Sequence, residues 1–263
     1  MKRQLFLPLA LVVVVPVFSL QDNSAGQSKK SQTQDIDPLA LQVLKAATDP
    51  IRDAKTYSFR AFVGTEQLGT NGQVITLFHV SDVTVQRPDK LHLDFAGQGQ
   101  KVQFYFNAGL AALYAPSEKL YSSLSAKATI DAELEDLAKR KVPVPVKNFL
   151  QSDPYKSLTQ NLRSAYVIGM VKIFDQPVHH LAFTEPGAEW QLWVIGGDNP
   201  RVRRLQVIDR SEAYQPRVTV DFLDWNLKAT PAADLFTFNK PADAREVPIL
   251  GVATPTIQQS GGK

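Results

Sequence analysis

The chain has 263 residues, 44% of them hydrophobic and 21% charged, the mix of a globular protein with one sizeable core and, by default, one domain. It has no cysteine, which excludes disulfides, thiol catalysis, thiolate metal sites and lipid attachment through an N-terminal cysteine. The formal charge of +3 falls by two, to +1, without Lys2 and Arg3, and a near-neutral chain lacks the basic footprint of a nucleic-acid binder.

The first element is a leader. In MKRQLFLPLALVVVVPVFSLQ, Lys2 and Arg3 precede an apolar run from Leu5 to Leu20, shorter than the ~20 residues of a bilayer span and interrupted by Pro8 and Pro16. This predicts a secretory signal over residues 1–20, with a cut after Ser19 and a periplasmic destination. Left uncleaved, the same run would act as an anchor. QDNSAGQSKKSQTQ is polar and poor in aliphatics, so residues 21–36 read as a disordered linker before one domain over 37–249.

That domain opens with Asp37 as helix N-cap and Pro38 in the first turn. Leu41, Val43, Leu44 and Ala47 form an apolar stripe, and the helix is expected to stop before Pro50. From Tyr57 to Tyr121 the period becomes two. Leu91, Leu93 and Phe95 share one face and His92 and Asp94 the other; Val102, Phe104 and Phe106 oppose Gln103 and Tyr105. Turns at Ala96-Gly97-Gln98-Gly99 and Asn107-Ala108-Gly109 make this an antiparallel meander.

Helical spacing returns at TIDAELEDLAKRK, residues 129–141, where Ile130, Leu134 and Leu137 recur at i, i+4 and i+7. Acids gather in its first turns and Lys139, Arg140 and Lys141 close it, both favourable to the helix dipole. The run Val142 to Val146, with alternating prolines, breaks it, and short helices are predicted at VKNFL and DPYKSLTQNL. A second block of strands runs from Tyr166 to Phe238 and includes LFTFNKPA. Residues 250–263 read as a flexible tail.

In EWQLWVIG the separation of Trp190 from Trp193 sends the two indoles to opposite faces of one sheet. Trp190 is expected on the concave side with Leu192 and Val194, and Trp193 with Ile195 on the convex side. Alternation also places Arg201 and Arg203 on one face and Arg204 on the other, as a solvated hairpin edge. Strands, helices, strands is an α+β plan: a strongly curved antiparallel sheet with helices on its concave side.

The segments DPLALQVLK, RPDKLHLDF, FYFNAGLAALYAPSEKLYSSL, SDPYKSL and HHLAFTEPGAEWQLWVIGGDNPRVRRLQVI, finished by LFTFNKPADA, resemble in order and spacing a bacterial family of predicted periplasmic proteins of unknown function. That family is similar to the LolA/LolB lipoprotein carriers and to the sensor-binding protein RseB. The resemblance covers about residues 37–248. It implies an incomplete β-barrel whose concave side holds an apolar cavity covered by helices. It also implies a role for Arg87, which precedes Pro88: latching the helical lid through hydrogen bonds to backbone carbonyls, a task suited to five fixed donors. A surface arginine before a turn is the alternative. Asn107-Ala108-Gly109 departs from the family's Asp-Gly turn and is expected to lengthen that hairpin. Without a lipid-anchoring cysteine, the chain resembles a soluble carrier more than its membrane-tethered cousins.

Catalytic chemistry has no signature here: no G-x-S-x-G, no H-E-x-x-H and no phosphate-cradling glycine loop. His179 and His180 point to opposite faces, and Asp131, Glu133, Glu135 and Asp136 read as a solvated helix face. The expectation is a protein that is not an enzyme, with no cofactor and no metal. Candidate ligand-binding residues are Leu91, Leu93, Phe95, Val102, Phe104, Phe106, Trp190 and Leu192 on the sheet, and Ile130, Leu134 and Leu137 on the covering helix. The partner would be a lipid or other hydrophobic small molecule, with a lipoprotein or another envelope protein as the further class, and no nucleic acid. A hollow packed solid by its own helices is the competing reading, and an envelope interaction or stress-sensing module on the same scaffold is the alternative function.

Overall fold

The computed structural model of the protein describes residues 35–140, 144 and 146–248; the expected leader, residues 21–34 of the linker and the tail lie outside them. Two antiparallel meanders make up the sheet. The first comprises β1 (Thr56–Leu68), β2 (Val74–Gln86), β3 (Lys90–Gly97), β4 (Gln100–Asn107), β5 (Leu110–Ala115) and β6 (Leu120–Ser125). The second comprises β7 (Ser164–Ile173), β8 (Gln176–Glu185), β9 (Ala188–Ile195), β10 (Arg201–Asp209) and β11 (Arg217–Asn226). Antiparallel pairing of β1 with β11 joins them, and a short β12 (Arg245–Glu246) adds in parallel to β6. The two ends of the strand order, β12 and β7, do not pair. The sheet is therefore large, curved and open, as the α+β plan of an incomplete barrel requires.

Helices α1 (Pro38–Asp53), α2 (Ile130–Lys139), α3 (Lys147–Leu150) and α4 (Pro154–Thr159) supply the cover. Asp37 caps α1 by accepting from the Leu39 N–H, Thr129 caps α2 and Asp153 caps α4. One boundary differs from expectation. α1 continues through Pro50 to Asp53, because its last turn buries Ile51 in the core and carries the Lys45, Asp49 and Arg52 ion pairs. Those contacts offset the backbone hydrogen bond that proline cannot make. Order also begins before α1: Ile36 bridges Ala165 of β7, with the Asp37 N–H donating to the Ala165 carbonyl at 2.8 Å.

One face of the sheet and the helices form a single apolar cluster. Leu44, Ala47 and Ile51 of α1, Ile130 and Leu134 of α2, and Phe149 and Leu150 of α3 meet Phe59, Val83, Val85, Trp190, Leu192 and Phe222 of the sheet. The second tryptophan takes the other face, as alternation demands. Trp193 lies half-buried there, stacked on His180 at 4.4 Å with the Arg204 guanidinium 6.0 Å from its ring.

The convex face of β4–β6 is covered by the chain's own C-terminal segment. Phe238 sits 5.2–5.6 Å from the rings of Tyr105, Tyr114 and Tyr121, and Asn107 donates to Thr237. Here LFTFNKPA is a strap of turns; it is not the strand its alternation suggested, because the Phe238 ring is anchored into the sheet face instead of joining a ladder. Two further expectations are corrected. A bulge between Val202 and Arg204 breaks the alternation, so Arg203 and Arg204 both donate to Asp221. The Asn107 turn is not lengthened: Ala108 and Gly109, both at positive φ, close a two-residue loop between paired Asn107 and Leu110.

Replacing Phe238 with alanine removes a ring shared by three tyrosines, while Phe236 two residues before it stays buried. Urea unfolding should show Phe238→Ala less stable by about 1–3 kcal/mol, the range for loss of a half-buried aromatic. An unchanged midpoint would show the Phe238 ring to be dispensable.

Candidate functional site

The expected lining residues divide into three groups. Leu91, Phe106, Ile130, Leu134, Trp190 and Leu192 belong to the main cluster and expose 0–7% of their surface. Trp190 stacks on Phe183 at 3.8 Å. A void wide enough for an acyl chain would leave its lining accessible, so α1, α2 and α3 fill the hollow over this region. Phe95 and Val102 form a second, smaller cluster with Leu113, and Leu93 and Phe104 pack against both clusters. Leu137 is partly exposed and belongs to neither.

The cover is tied to the sheet by a polar clasp at the end of β2. Arg87 donates from Nη1 to the Leu150 carbonyl at 3.0 Å and from Nη2 to the Tyr57 hydroxyl at 3.2 Å. Tyr57 in turn donates to the Phe149 carbonyl at 2.7 Å, and the guanidinium lies 5.1 Å from its ring. Both acceptors are the last carbonyls of α3, which have no partner inside a four-residue helix. Burial holds the Tyr57 hydroxyl well above the ordinary tyrosine range, and the nearby Arg87 charge opposes that rise. Tyr57 therefore stays a neutral donor. Arg87 enters this position through a cis Arg87–Pro88 peptide, and the Pro88 carbonyl accepts from the Ile130 N–H at the start of α2.

The acidic residues of α2 bind as well as face water. Asp131 accepts from both the backbone N–H and the hydroxyl of Ser152, between α3 and α4. Glu133 is buried and accepts from the Lys127 N–H at 2.8 Å. The solvated-face reading holds for Glu135, whose partner is Lys139, and for Asp131, which stays partly exposed; it fails for Glu133, which is buried. Sequence reasoning missed Tyr57, Asp131, Phe149 and Leu150 as parts of the clasp. α3 is too short to show a period, and the carbonyls it offers leave no trace in side-chain pattern.

The smaller cluster continues the apolar face past the helices. His79 joins it, its ring 4.6 Å from Phe95. Partial burial lowers the His79 pKa from 6.5 to about 4, so the imidazole is neutral at pH 7. A cavity lies elsewhere, with several charged side chains around it. It holds about 440 Å³ and is lined by Asp35, Arg163, Ser164, Thr184, Glu185, Glu189 and Arg210 among others, a lining that does not suit an acyl chain. Among the described residues no group of three or more acids or histidines is placed to hold a metal ion.

An open half-barrel with a helix-covered apolar face and a basic clasp is thus the class of scaffold. The chain belongs to the family of predicted periplasmic proteins DUF2092, whose model matches residues 40–250. No curated protein matches it. Among solved structures it is similar to the lipoprotein LppX of Mycobacterium tuberculosis, at 13% identity and a TM-score of 0.47, covering 74% of this chain and 98% of that one. LprF of Mycobacterium bovis aligns at 12% identity and a TM-score of 0.47, covering 80% and 100%. A LolA superfamily protein of Nitrosomonas europaea aligns at 11% identity and a TM-score of 0.32, covering 76% and 97%.

Two outcomes test this geometry. Arg87→Leu leaves the Leu150 carbonyl and Tyr57 hydroxyl without their donor, so hydrogen exchange in residues 147–160 should quicken roughly tenfold, the effect of losing a charged hydrogen bond; unchanged protection would mean that packing alone holds the cover. His79 has a folded pKa below its unfolded value, so its contribution to stability is complete above pH 6.5 and is lost as pH falls through about 4. Urea midpoints from pH 7 to 4 should decline less steeply in His79→Leu than in the native chain, and parallel curves would reject the linkage.

Proposed function

We propose that this protein is an exported periplasmic binding or carrier protein for an acyl chain or similarly apolar molecule, which occupies the concave side of the half-barrel when α3 and α4 move away. The reading rests on one observation: the carbonyls of a single-turn helix are clasped by Arg87 and Tyr57 over a continuous apolar face. Helices of four and six residues have no stability of their own. Their position depends on packing and on a few polar tethers, so displacing them costs less than unfolding any part of the sheet.

The gain from a ligand is of the right order. Burial contributes about 0.8 kcal/mol per methylene, so a dozen methylenes supply roughly 10 kcal/mol before ordering and opening are subtracted. The smaller cluster of Phe95, Val102 and Leu113, with Leu93 and Phe104 beside it, is the natural first contact, and Phe222, against which Phe149 of α3 packs, would be reached after the cover lifts. Arg87 is the latch in this scheme. Binding of this kind requires no nucleophile, base or cofactor.

A protein-interaction module on the same scaffold is the second reading, and a specific feature favours it. On the outer face Phe62 and Phe78 stack at 5.3 Å and expose 40% and 52% of their surface, an apolar pair that a partner could cover.

The carrier reading is tested by native mass spectrometry of the protein recovered from the exported fraction. It predicts co-purified lipid, together with a thermal shift on adding fatty acids or phospholipids. A clean unliganded spectrum with no shift from either class would contradict it and leave the interaction module.

A further inference from the structure

The hairpin of β7 and β8 carries several large, exposed apolar groups at one edge of the sheet. β7 ends the strand order, and its outer side is bonded at Ala165 by the Asp35–Asp37 segment. Past that point Ile168, Met170 and Val171 expose 48%, 58% and 39% of their surface, and Phe174 at the turn exposes 84%. Met170 pairs with His179 and Val171 with Val178, so these neighbours point to opposite faces of the ribbon. Met170 on one face, Val171 on the other and Phe174 at the tip are thus apolar and exposed, while Val178 beside Val171 is buried.

The turn itself is unusual. Phe174 and Asp175 both hold positive φ, 47° and 63°, a geometry that favours Asn-Gly and is rare for an aromatic residue. The Arg203 guanidinium lies 5.6 Å from the Phe174 ring and supports one side of it while the rest stays open. A strained residue held outward at a tip points to a function for the exposure.

What covers such an element must reach two faces and an end together. One added strand would cover an edge, and a flat protein surface would cover one face. A fluid apolar layer surrounds all three. The nearby charges are of both signs: Lys172 and Asp175 on the hairpin, Arg201 and Asp198 beside the β9–β10 turn at the same end of the sheet, and Arg203 beside the Phe174 ring, paired with Asp221. That mixture fits a zwitterionic head-group layer, to which a strongly basic rim would be irrelevant.

We propose that the β7–β8 hairpin inserts into the interfacial layer of a phospholipid bilayer, Phe174 foremost with Met170, Val171 and Ile168 behind it. The docking is independent of whether the hollow takes a ligand. It is tested by co-sedimentation of residues 21–263, which include every described element, with vesicles of phosphatidylethanolamine and phosphatidylcholine. Binding is expected, and Phe174→Ser should weaken it about tenfold or more, the scale of one buried aromatic ring, with an unchanged circular dichroism spectrum. Phe174→Trp should bind as the native chain does, and its added fluorescence should be quenched by lipids brominated on their acyl chains. Raising the salt should change binding by less than about twofold. The proposal fails if the native chain stays in the supernatant, if Phe174→Ser binds equally well, or if salt abolishes binding. It also fails if Phe174 instead holds two copies together in solution with no vesicle association.

Discussion

An open antiparallel sheet with an apolar inner face cannot stand uncovered in water, and the whole molecule is arranged around that constraint. Pairing of β1 with β11 brings two meanders into one sheet, which doubles the apolar face to be covered. The four helices fall before and between the meanders, where a short path leads each of them onto that face. Their stability is borrowed from it: α3 has one turn, and its last carbonyls accept from Arg87 and Tyr57. The hydrophobic contacts decide that the helices lie on the sheet, and the clasp decides where.

The same constraint explains the convex side. A sheet with aromatic residues on both faces needs two covers, and the C-terminal strap is the second. It presses Phe238 among Tyr105, Tyr114 and Tyr121 above His92, whose Nε2 lies 3.1 Å from Asp94. Among the described residues the second meander has no such strap. Trp193 is shielded by His180 and Arg204 instead, and the outermost hairpin is left bare. Covering is thus graded across the molecule, from helices over the hollow, through strap and side-chain shields, to open apolar surface at the β7 edge.

Much of this was legible in the residues. Period-two alternation gave the strands and their faces, including the opposite fates of Trp190 and Trp193, and Asp-Pro pairs marked the starts of α1 and α4. The misreadings share a cause. Pro50 inside α1, the bulge at Arg203 and the strap at Phe238 are each places where tertiary contacts outweigh a local rule: burial of Ile51, a shared carboxylate at Asp221, and three tyrosine rings. The clasp was half legible, since the Arg87-Pro88 pair pointed to it through resemblance while its acceptors, being backbone carbonyls, could not be read from side chains. Whether the hollow is filled depends on side-chain volumes summed over distant segments, and no periodicity encodes that sum.

The central claim is that the α3–α4 cover moves to admit an apolar molecule. Because the chain has no cysteine, a lock can be introduced cleanly where Asp131 of α2 meets Ser152 beside α3, by the paired changes Asp131→Cys and Ser152→Cys. Uptake of a fluorescent fatty acid, followed in the oxidised and reduced forms, measures the movement directly. Uptake is expected when the pair is reduced, and its loss when the bond forms. Equal uptake in both forms, or none in either, would contradict the claim.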